Sequence, residues 1–213
     1  LANLKVLVIG EAIIDQYDYV QRMDISPKGG VIAMRHLSSE YFAGGSLACA
    51  NHMASFCKEI GLLSVIGSYN PREALMKDSL ALNIRPYFIV REGTETLVKK
   101  RQVETGYYHK ISETYFMDDL PLNDDQESRA LKFLDENIKN YDLIFVIDYG
   151  HGFITPVLKD YIISKSTFLA VNTQVNSANK GFHVITQYPK MDFASVDDFE
   201  ARLALHDKKS TPI

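Results

Sequence analysis

Short apolar runs alternate along this chain with segments whose apolar residues recur at helical spacing. The runs predict buried strands at 5–10, 62–67, 85–90, 142–152 and 167–173, and shorter strands at 183–186 and 192–196. The amphipathic segments predict helices at 46–60, 71–82, 123–139, 156–165 and 197–206. Alternation of this kind is typical of an α/β fold in which helices cover a mostly parallel sheet.

Two stretches depart from the alternation. Residues 17–41 and residues 85–116 are each rich in strand-like alternating positions separated by turn residues, and neither stretch contains a helical segment. We expect these two inserts to form a separate small sheet.

A pair of glycines, Gly44–Gly45, stands directly before the first predicted helix, which Gly61 is expected to end. Two residues without side chains let a ligand approach the backbone and reach free N–H groups at the positive helix end. A tight turn into a buried helix explains the same pair without a ligand. The glycines alone leave both interpretations open.

Charged residues near strand ends are further candidates. Asp15 follows the first strand, and ligands of open α/β sheets bind at the carboxyl ends of the strands. A helix cap or turn is the alternative role for this residue. Lys99, Lys100 and Arg101 share one β-prone segment. They indicate either a solvated sheet edge or a contact with an anion or a sugar.

Composition narrows the class of protein. The chain has 213 residues, 46% hydrophobic and 23% charged, as in ordinary soluble globular proteins. A net charge of −4 argues against nucleic-acid and membrane partners, and no apolar run reaches the ~20 residues of a membrane span. Cys49 and Cys57 lie too far apart on the predicted helix for a disulfide. We interpret them as reduced thiols of a cytoplasmic protein.

The sequence lacks the motifs of several common kinds of catalytic and binding site. The six histidines show no metal-binding spacing, so no metal ligand is predicted directly. Strings typical of serine hydrolases, dinucleotide-binding folds and P-loops are also missing from the sequence.

Three ordered segments carry a resemblance. Residues 8–15 read VIGEAIID, residues 44–61 contain the glycine pair and its helix, and residues 148–152 read DYGHG. Together they resemble the ribokinase-like (PfkB) carbohydrate kinases, especially the kinase part of bifunctional heptose kinase/nucleotidyltransferases. The resemblance implies a three-layer α/β fold with a mostly parallel sheet and a small β-sheet lid. Residues 1–213 would be the N-terminal portion of such a domain, with lid strands within 17–41 and 85–116.

The resemblance also implies roles for particular residues. Asp15 would bind a sugar hydroxyl, and the backbone of Gly44 and Gly45 would lie against the sugar. Lys99 and Arg101 would belong to the lid, which in this family often pairs across a homodimer. The complete protein would use ATP and Mg²⁺ to phosphorylate a sugar or sugar phosphate, with a heptose phosphate as one candidate.

Other positions depart from the family pattern. The sugar-binding Asn that commonly follows the glycine pair is replaced at Ala48 and Cys49, and the Lys of the DYGKG turn is His151. The Asn-x-x-Glu segment that organises metal and phosphates corresponds to 195–198, which keeps the carboxylates Asp197 and Asp198 but has no Asn. With Asp148, these two carboxylates are the candidates for organising phosphate or metal.

The family's catalytic segment, a Gly-Ala-Gly-Asp string that provides the base and the anion hole, does not occur in the 213 residues. We therefore expect this chain to contain no catalytic residue, to bind no ATP or Mg²⁺ by itself and to lack the C-terminal part of the fold. Two functions remain open. One is the sugar-binding portion of a kinase. The other is an inactive sugar-binding or dimerisation module fused to a nucleotidyltransferase.

Overall fold

A computed structural model describes residues 2–209, which form two sheets and five α-helices. The main sheet is parallel, with strand order β10-β9-β8-β1-β4-β5. The bounds of its strands are β1 Lys5–Gly10, β4 Glu59–Tyr69, β5 Ile84–Glu95, β8 Leu143–Asp148, β9 Leu169–Thr173 and β10 Phe193–Ser195. The helices are α1 Ser46–Ala54, α2 Glu73–Ser79, α3 Asp124–Asn137, α4 Pro156–Lys165 and α5 Asp198–Leu205.

The central strand β1 shows why the sheet has a helical layer on each face. Its four residues Val6, Leu7, Val8 and Ile9 are all buried. Because side chains alternate across a strand, Leu7 and Ile9 enter one hydrophobic cluster while Val6 and Val8 enter another. A strand buried on both faces must be apolar at every position, and the prediction of a three-layer α/β fold is confirmed.

Two helices begin where their capping residues predict. Asn123 and Gln126 form a reciprocal capping box before α3, with Asn123 Oδ1 accepting from the Gln126 N–H at 2.9 Å. The hydroxyl of Thr155 accepts from the N–H of Leu158 at 3.2 Å, and Pro156 occupies the first position of α4.

The second sheet, called the small sheet from here on, has the order β3-β2-β6-β7. Its strands are β2 Ala12–Ile25, β3 Ile32–Gly45, β6 Val98–Glu104 and β7 His109–Phe116. The inner strands β2 and β6 are parallel, whereas both outer strands are antiparallel to their neighbours. A separate small sheet is thus confirmed, but the insert bounds were wrong. Its first hairpin spans 12–45, and β5 belongs to the main sheet.

The helix after the glycine pair is shorter than predicted. It ends at Ala54, and Gly61 lies inside β4 instead of closing the helix. The helix cannot continue because the following residues pair with the main sheet: the N–H of Lys58 donates to the carbonyl of Leu4 at 2.9 Å. Gly61 is required for close packing: a Cβ there would lie 2.6 Å from Cζ of Tyr141.

Two further expectations were wrong. Residues 183–186 do not form a strand, and a single 3₁₀ turn, Ile185–Gln187, occupies part of this segment. The cationic segment at 99–101 is not a solvated edge, because β6 lies between β2 and β7. Lys100 instead binds the buried carboxylate of Asp18, with Nζ 2.6 Å from Oδ2.

Among residues 2–209, no helix combines the length and the hydrophobicity needed to cross a bilayer. Cys49 and Cys57 are both free thiols, in line with the sequence.

Candidate functional site

The small sheet brings Asp15 next to two of the predicted cations. In the strand register Asp15 lies opposite Lys99 of β6 and opposite Phe42 of β3. Its Oδ1 accepts a hydrogen bond from Nη1 of Arg101. Arg101 also donates from Nε to Oε1 of Glu113 at 2.7 Å, so the guanidinium is held between two carboxylates. The geometry fixes the Asp15 carboxylate and leaves Oδ2 outside this ion pair.

The glycine pair lies directly beside that carboxylate. A Cβ at Gly44 would overlap Oδ2 of Asp15, so only glycine leaves room for the acid in this position. Gly45 precedes α1 with φ 60° and ψ −134°, a backbone conformation that favours glycine. A Cβ on Gly45 would also lie 2.6 Å from the carbonyl oxygen of Glu11. Both glycines are therefore required by the local geometry.

Lys99 is a buried member of the predicted site residues, with 6% of its surface exposed. Its ammonium lies 5.1 Å from the ring centroid of Tyr149 and 5.5 Å from that of Tyr115. Within residues 2–209 it makes no hydrogen bond or ion pair. Burial lowers the pKa of Lys99, and the nearby charge of Asp15 opposes this effect.

A groove of about 370 Å³ opens beside these residues. The small sheet contributes one wall, and the segment after β9 together with the start of α5 contributes the other. Three cationic side chains, Lys99, Arg101 and Lys180, line it. The remaining lining residues are Tyr115, Gln174, Val175, Asn176, Ser177 and Phe199. Its charge favours an anionic or strongly polar ligand.

Glu11 joins β1 to β2 and is 1% exposed. Its two carboxylate oxygens accept from the backbone N–H groups of Tyr149 at 3.0 Å and His151 at 3.1 Å. Burial and the neighbouring charge of Asp148 raise the pKa of Glu11 to about 7, although these hydrogen bonds lower it. The acid fixes the turn that follows β8.

Asp148 ends β8 and its carboxylate is already occupied. Oδ2 accepts from the hydroxyl of Tyr188 at 2.6 Å, and Oδ1 lies 3.1 Å from Nε2 of His183 and accepts from the N–H of Gly150. Burial lowers the pKa of His183, but the hydrogen bond to Asp148 and its charge outweigh burial and raise it overall. Asp148 is thus bonded to residues of its own fold.

His151, which replaces the Lys of the family's turn, is buried in a polar contact of its own. Nδ1 lies 2.7 Å from Oδ1 of Asp119, and Nε2 lies 3.3 Å from Nδ2 of Asn176. Burial lowers its pKa, a change that the bond to Asp119 opposes. Both ring nitrogens have partners, so His151 connects loops and does not face the groove.

The solved structures that superpose on this chain include carbohydrate kinases. The chain superposes on phosphofructokinase-2 from Escherichia coli with a TM-score of 0.70 and 11% sequence identity, covering 99% of this chain and 66% of that one. A carbohydrate kinase from Agrobacterium tumefaciens gives a TM-score of 0.64 and 15% identity, with coverage of 94% and 63%.

Curated sequences also match the chain. The bifunctional protein HldE of Campylobacter jejuni strain RM1221 is 22% identical over 178 residues, which cover 84% of this chain and 37% of the relative. HldE of Hyphomonas neptunium is 24% identical over 213 residues, covering 99% and 42%. No protein-family model matches the chain.

The resemblance to ribokinase-like carbohydrate kinases is confirmed. The chain has the ribokinase-like fold and spans about two fifths of the length of the curated relatives it matches.

Within this ribokinase-like fold, the predicted carboxylates near α5 serve the helix. Asp197 is its N-cap, with Oδ1 accepting from the N–H of Glu200 at 2.7 Å. Asp198 pairs with Nε of Arg202 at 2.8 Å, one turn along the helix. The more buried acid is Glu200, whose Oε1 accepts from the N–H of Val175. A role of Asp197 and Asp198 toward phosphate stays a prediction.

The residues present do not fit a resident Mg²⁺ ion. In the part of the chain that the structure describes, no three His, Cys, Asp or Glu side chains converge as metal ligands. Asp148 is bonded internally, and Asp197 caps its helix.

The sequence did not single out the two aromatic residues around Lys99. Tyr115 could have been found from strand pairing, since it lies directly opposite Lys99 in the register of β6 and β7. Tyr149 lies within the DYGHG segment, but its contact with the small sheet depends on how the two sheets are placed. The spacing of residues in the sequence does not predict how the two sheets are placed relative to each other.

Proposed function

We propose that this chain is the sugar-binding portion of an ATP-dependent carbohydrate kinase. The observation that carries the proposal is the position of the Asp15 carboxylate, which lies against the bare backbone of Gly44 and beside Arg101 and Lys99. A carboxylate accepts hydrogen bonds from adjacent sugar hydroxyls, and a glycine backbone lets the ring approach closely.

Charge in the groove supports a phosphorylated sugar as the ligand. Lys99, Arg101 and Lys180 line one groove, and the Lys99 ammonium has no polar partner within residues 2–209. A phosphate would supply acceptors for such cations. The chain matches HldE, and its DYGHG turn is similar to the DYGKG turn of the heptose kinases. A heptose phosphate is therefore the first compound to test.

The activity of the complete protein is part of the same proposal. It would transfer a phosphoryl group from ATP, with Mg²⁺, to a hydroxyl of the sugar in the cytoplasm. Within residues 2–209 no three His, Cys, Asp or Glu side chains converge as metal ligands, so we assign no metal ligand among them.

The second candidate is an inactive kinase-like module that binds sugar or dimerises beside a nucleotidyltransferase. The favouring observation is that the predicted phosphate-organising acids are engaged within the fold: Asp148 by Tyr188 and His183, and Asp197 by the helix that it caps. Sugar binding without turnover by the complete gene product would favour this module.

We also propose that the small sheet forms a homodimer interface. It exposes apolar side chains, among them Leu37 and Phe42 on β3 and Ile111 and Phe116 on β7. Outer strands with exposed apolar residues tend to pair with another chain.

Light scattering tests this interface, and the Leu37→Asp variant should be a monomer. Leu82→Asp, at a residue 96% exposed elsewhere, would leave a dimer. A monomeric wild type, or a Leu37→Asp dimer, contradicts this interface.

Calorimetry with a heptose 7-phosphate and the unphosphorylated sugar tests the binding function. Asp15→Ala is expected to weaken binding about 100-fold, because the sugar loses an acceptor and Arg101 loses one of its two carboxylate partners. Asp24→Asn, an exposed change on the same strand, should leave binding intact. Wild-type binding that Asp15→Ala does not weaken would contradict the site.

The complete gene product should then be assayed for ADP release with ATP and Mg²⁺. Turnover that Asp15→Ala abolishes supports the kinase, and binding without turnover supports the module. Neither binding nor turnover with a panel of sugars and sugar phosphates would contradict the kinase and the sugar-binding form of the module, and light scattering then decides whether the module dimerises.

A further inference from the structure

Among residues 2–209 the ammonium of Lys99 has no polar partner. The side chain is 6% exposed, lines the groove and faces the rings of Tyr115 and Tyr149. A cation buried among apolar atoms loses its hydration, and an aromatic face replaces part of that stabilisation. The rings therefore hold the charge where a ligand can reach it.

The two rings differ in what they fix. Tyr115 is the cross-strand neighbour of Lys99, so it moves with the small sheet. Tyr149 follows β8 of the main sheet, and its contact with Lys99 joins the two sheets. Of the two rings, that of Tyr149 fixes the position of the ammonium relative to the carboxyl ends of the main-sheet strands.

The backbone of Tyr149 is held from both sides. Its N–H donates to Oε2 of Glu11 at 3.0 Å, and its carbonyl oxygen accepts from Nδ2 of Asn176 at 2.9 Å and of Asn179 at 2.8 Å. Gly150 next to it has φ 72°, and a Cβ there would lie 2.6 Å from Nδ2 of Asn179. These contacts fix the position of the Tyr149 backbone, and therefore the point from which its aromatic side chain extends.

We propose that Tyr149 is a positioning residue whose aromatic ring holds the Lys99 ammonium at the sugar site. The inference rests on the proposed sugar-binding function and adds a residue to it. Tyr149 acts through Lys99, and its hydroxyl group is not needed for the effect. Glu11 and the two asparagines support it by fixing the turn.

The test separates the ring from its hydroxyl. Tyr149→Phe keeps the aromatic face, whereas Tyr149→Leu removes it. Tyr149→Met fills the space with an unbranched side chain if the Leu variant does not fold. Tyr107→Leu, which removes an exposed tyrosine at the turn between β6 and β7, is the matched control.

The first readout needs no sugar. The Lys99 side-chain methylene protons, assigned by their loss in Lys99→Arg, should show upfield ring-current shifts in wild type and Tyr149→Phe. These shifts should be reduced in Tyr149→Leu or Tyr149→Met. The second readout is affinity for the sugar phosphate, which we expect to fall about tenfold in the Leu or Met variant and to be retained in Tyr149→Phe and Tyr107→Leu.

Unchanged Lys99 resonances in the Leu or Met variant would overturn the proposal. So would a Phe variant that loses as much affinity as the Leu variant, since that result assigns the effect to the hydroxyl. If wild type binds no sugar phosphate, the proposed function fails, while the Lys99 resonances still decide whether Tyr149 positions the ammonium.

Discussion

Gly44 lies directly against Asp15, with no room for a side chain between the backbone of one and the carboxylate of the other. Gly44→Ala should displace the Asp15 carboxylate, because a side-chain end yields more easily than a backbone. We expect sugar affinity to fall about tenfold or more, with a loss in the free energy of unfolding of about 1 kcal/mol. Calorimetry and urea unfolding measure the two effects.

Gly29→Ala is the matched control, because the nearest atom to its new Cβ is 3.9 Å away and Gly29 has no positive φ. It should leave both quantities unchanged. Equal affinity of wild type and Gly44→Ala would show that Asp15 has no fixed role at the site.

Two stabilising contributions, those of Glu11 and His183, should be lost as the pH rises from about 5 to 8, while that of His151, whose pKa burial lowers, changes in the opposite direction. Burial, then the charge of Asp148, raises the pKa of Glu11 from 4.5 to about 7, so its stabilising protonated form is lost as the pH passes through that range. The pKa of His183 is also raised, and its contribution, present below 6.5, is lost in the same direction. Urea unfolding at several pH values measures the slope.

Glu11→Gln should flatten this slope by removing the ionisation. Glu136→Gln, at an exposed position on α3, should not. A Glu11→Gln variant whose stability falls with pH as steeply as that of wild type, or more steeply, would contradict the direction of the Glu11 shift.

The buried carboxylate of Asp18 should contribute more to stability than its cation does. Asp18 accepts from Gln16 at 2.8 Å and Ser39 at 2.7 Å in addition to Lys100. Asp18→Ala removes the acceptor that these groups share, at a cost of about 3 kcal/mol, whereas Lys100→Ala should cost about 1 kcal/mol. Chemical denaturation compares the two.

An exposed ion pair provides the reference. Glu73→Ala breaks the Glu73–Lys77 pair, 2.6 Å apart on the surface of α2, and should cost about 0.5 kcal/mol or less. Equal losses of stability in Asp18→Ala and Glu73→Ala would mean that the hydrogen bonds of Asp18 contribute no more to stability than an exposed ion pair.

Asp197→Ala should destabilise α5 by about 1 kcal/mol, since the N-cap of its capping box is lost. Asp198→Ala removes only an exposed pair with Arg202 and should have a smaller effect. Thermal unfolding distinguishes the two variants. A larger loss in Asp198→Ala would contradict the capping role.

The main sheet could be predicted from sequence because its strands are buried on both faces. Val6 to Ile9 are continuously apolar, and that signal does not depend on distant residues. The caps at Asn123 and Thr155 are local in the same sense. Local signals of this kind specify where elements begin and which class they belong to.

The site depended on contacts that no local pattern contains. The end of α1 at Ala54 is set by pairing of the next residues with the main sheet, although the apolar spacing continues to Ile60. The contact of Lys99 with Tyr149 depends on two sheets meeting. Resemblance indicated Asp15, Gly44 and their neighbours, but it could not give the ring that holds the lysine.

The parallel pairing of β2 with β6 has a consequence for the order of folding. The Arg101–Asp15 pair closes a separation of 86 residues, and α1, β4, α2 and β5 lie within that loop. Closing so long a loop costs chain entropy that only an assembled core can offset, so β6 should join late. Pulse-labelled amide exchange would show protection in β1 before β6. The ability to bind a ligand would then appear only in chains that have finished folding.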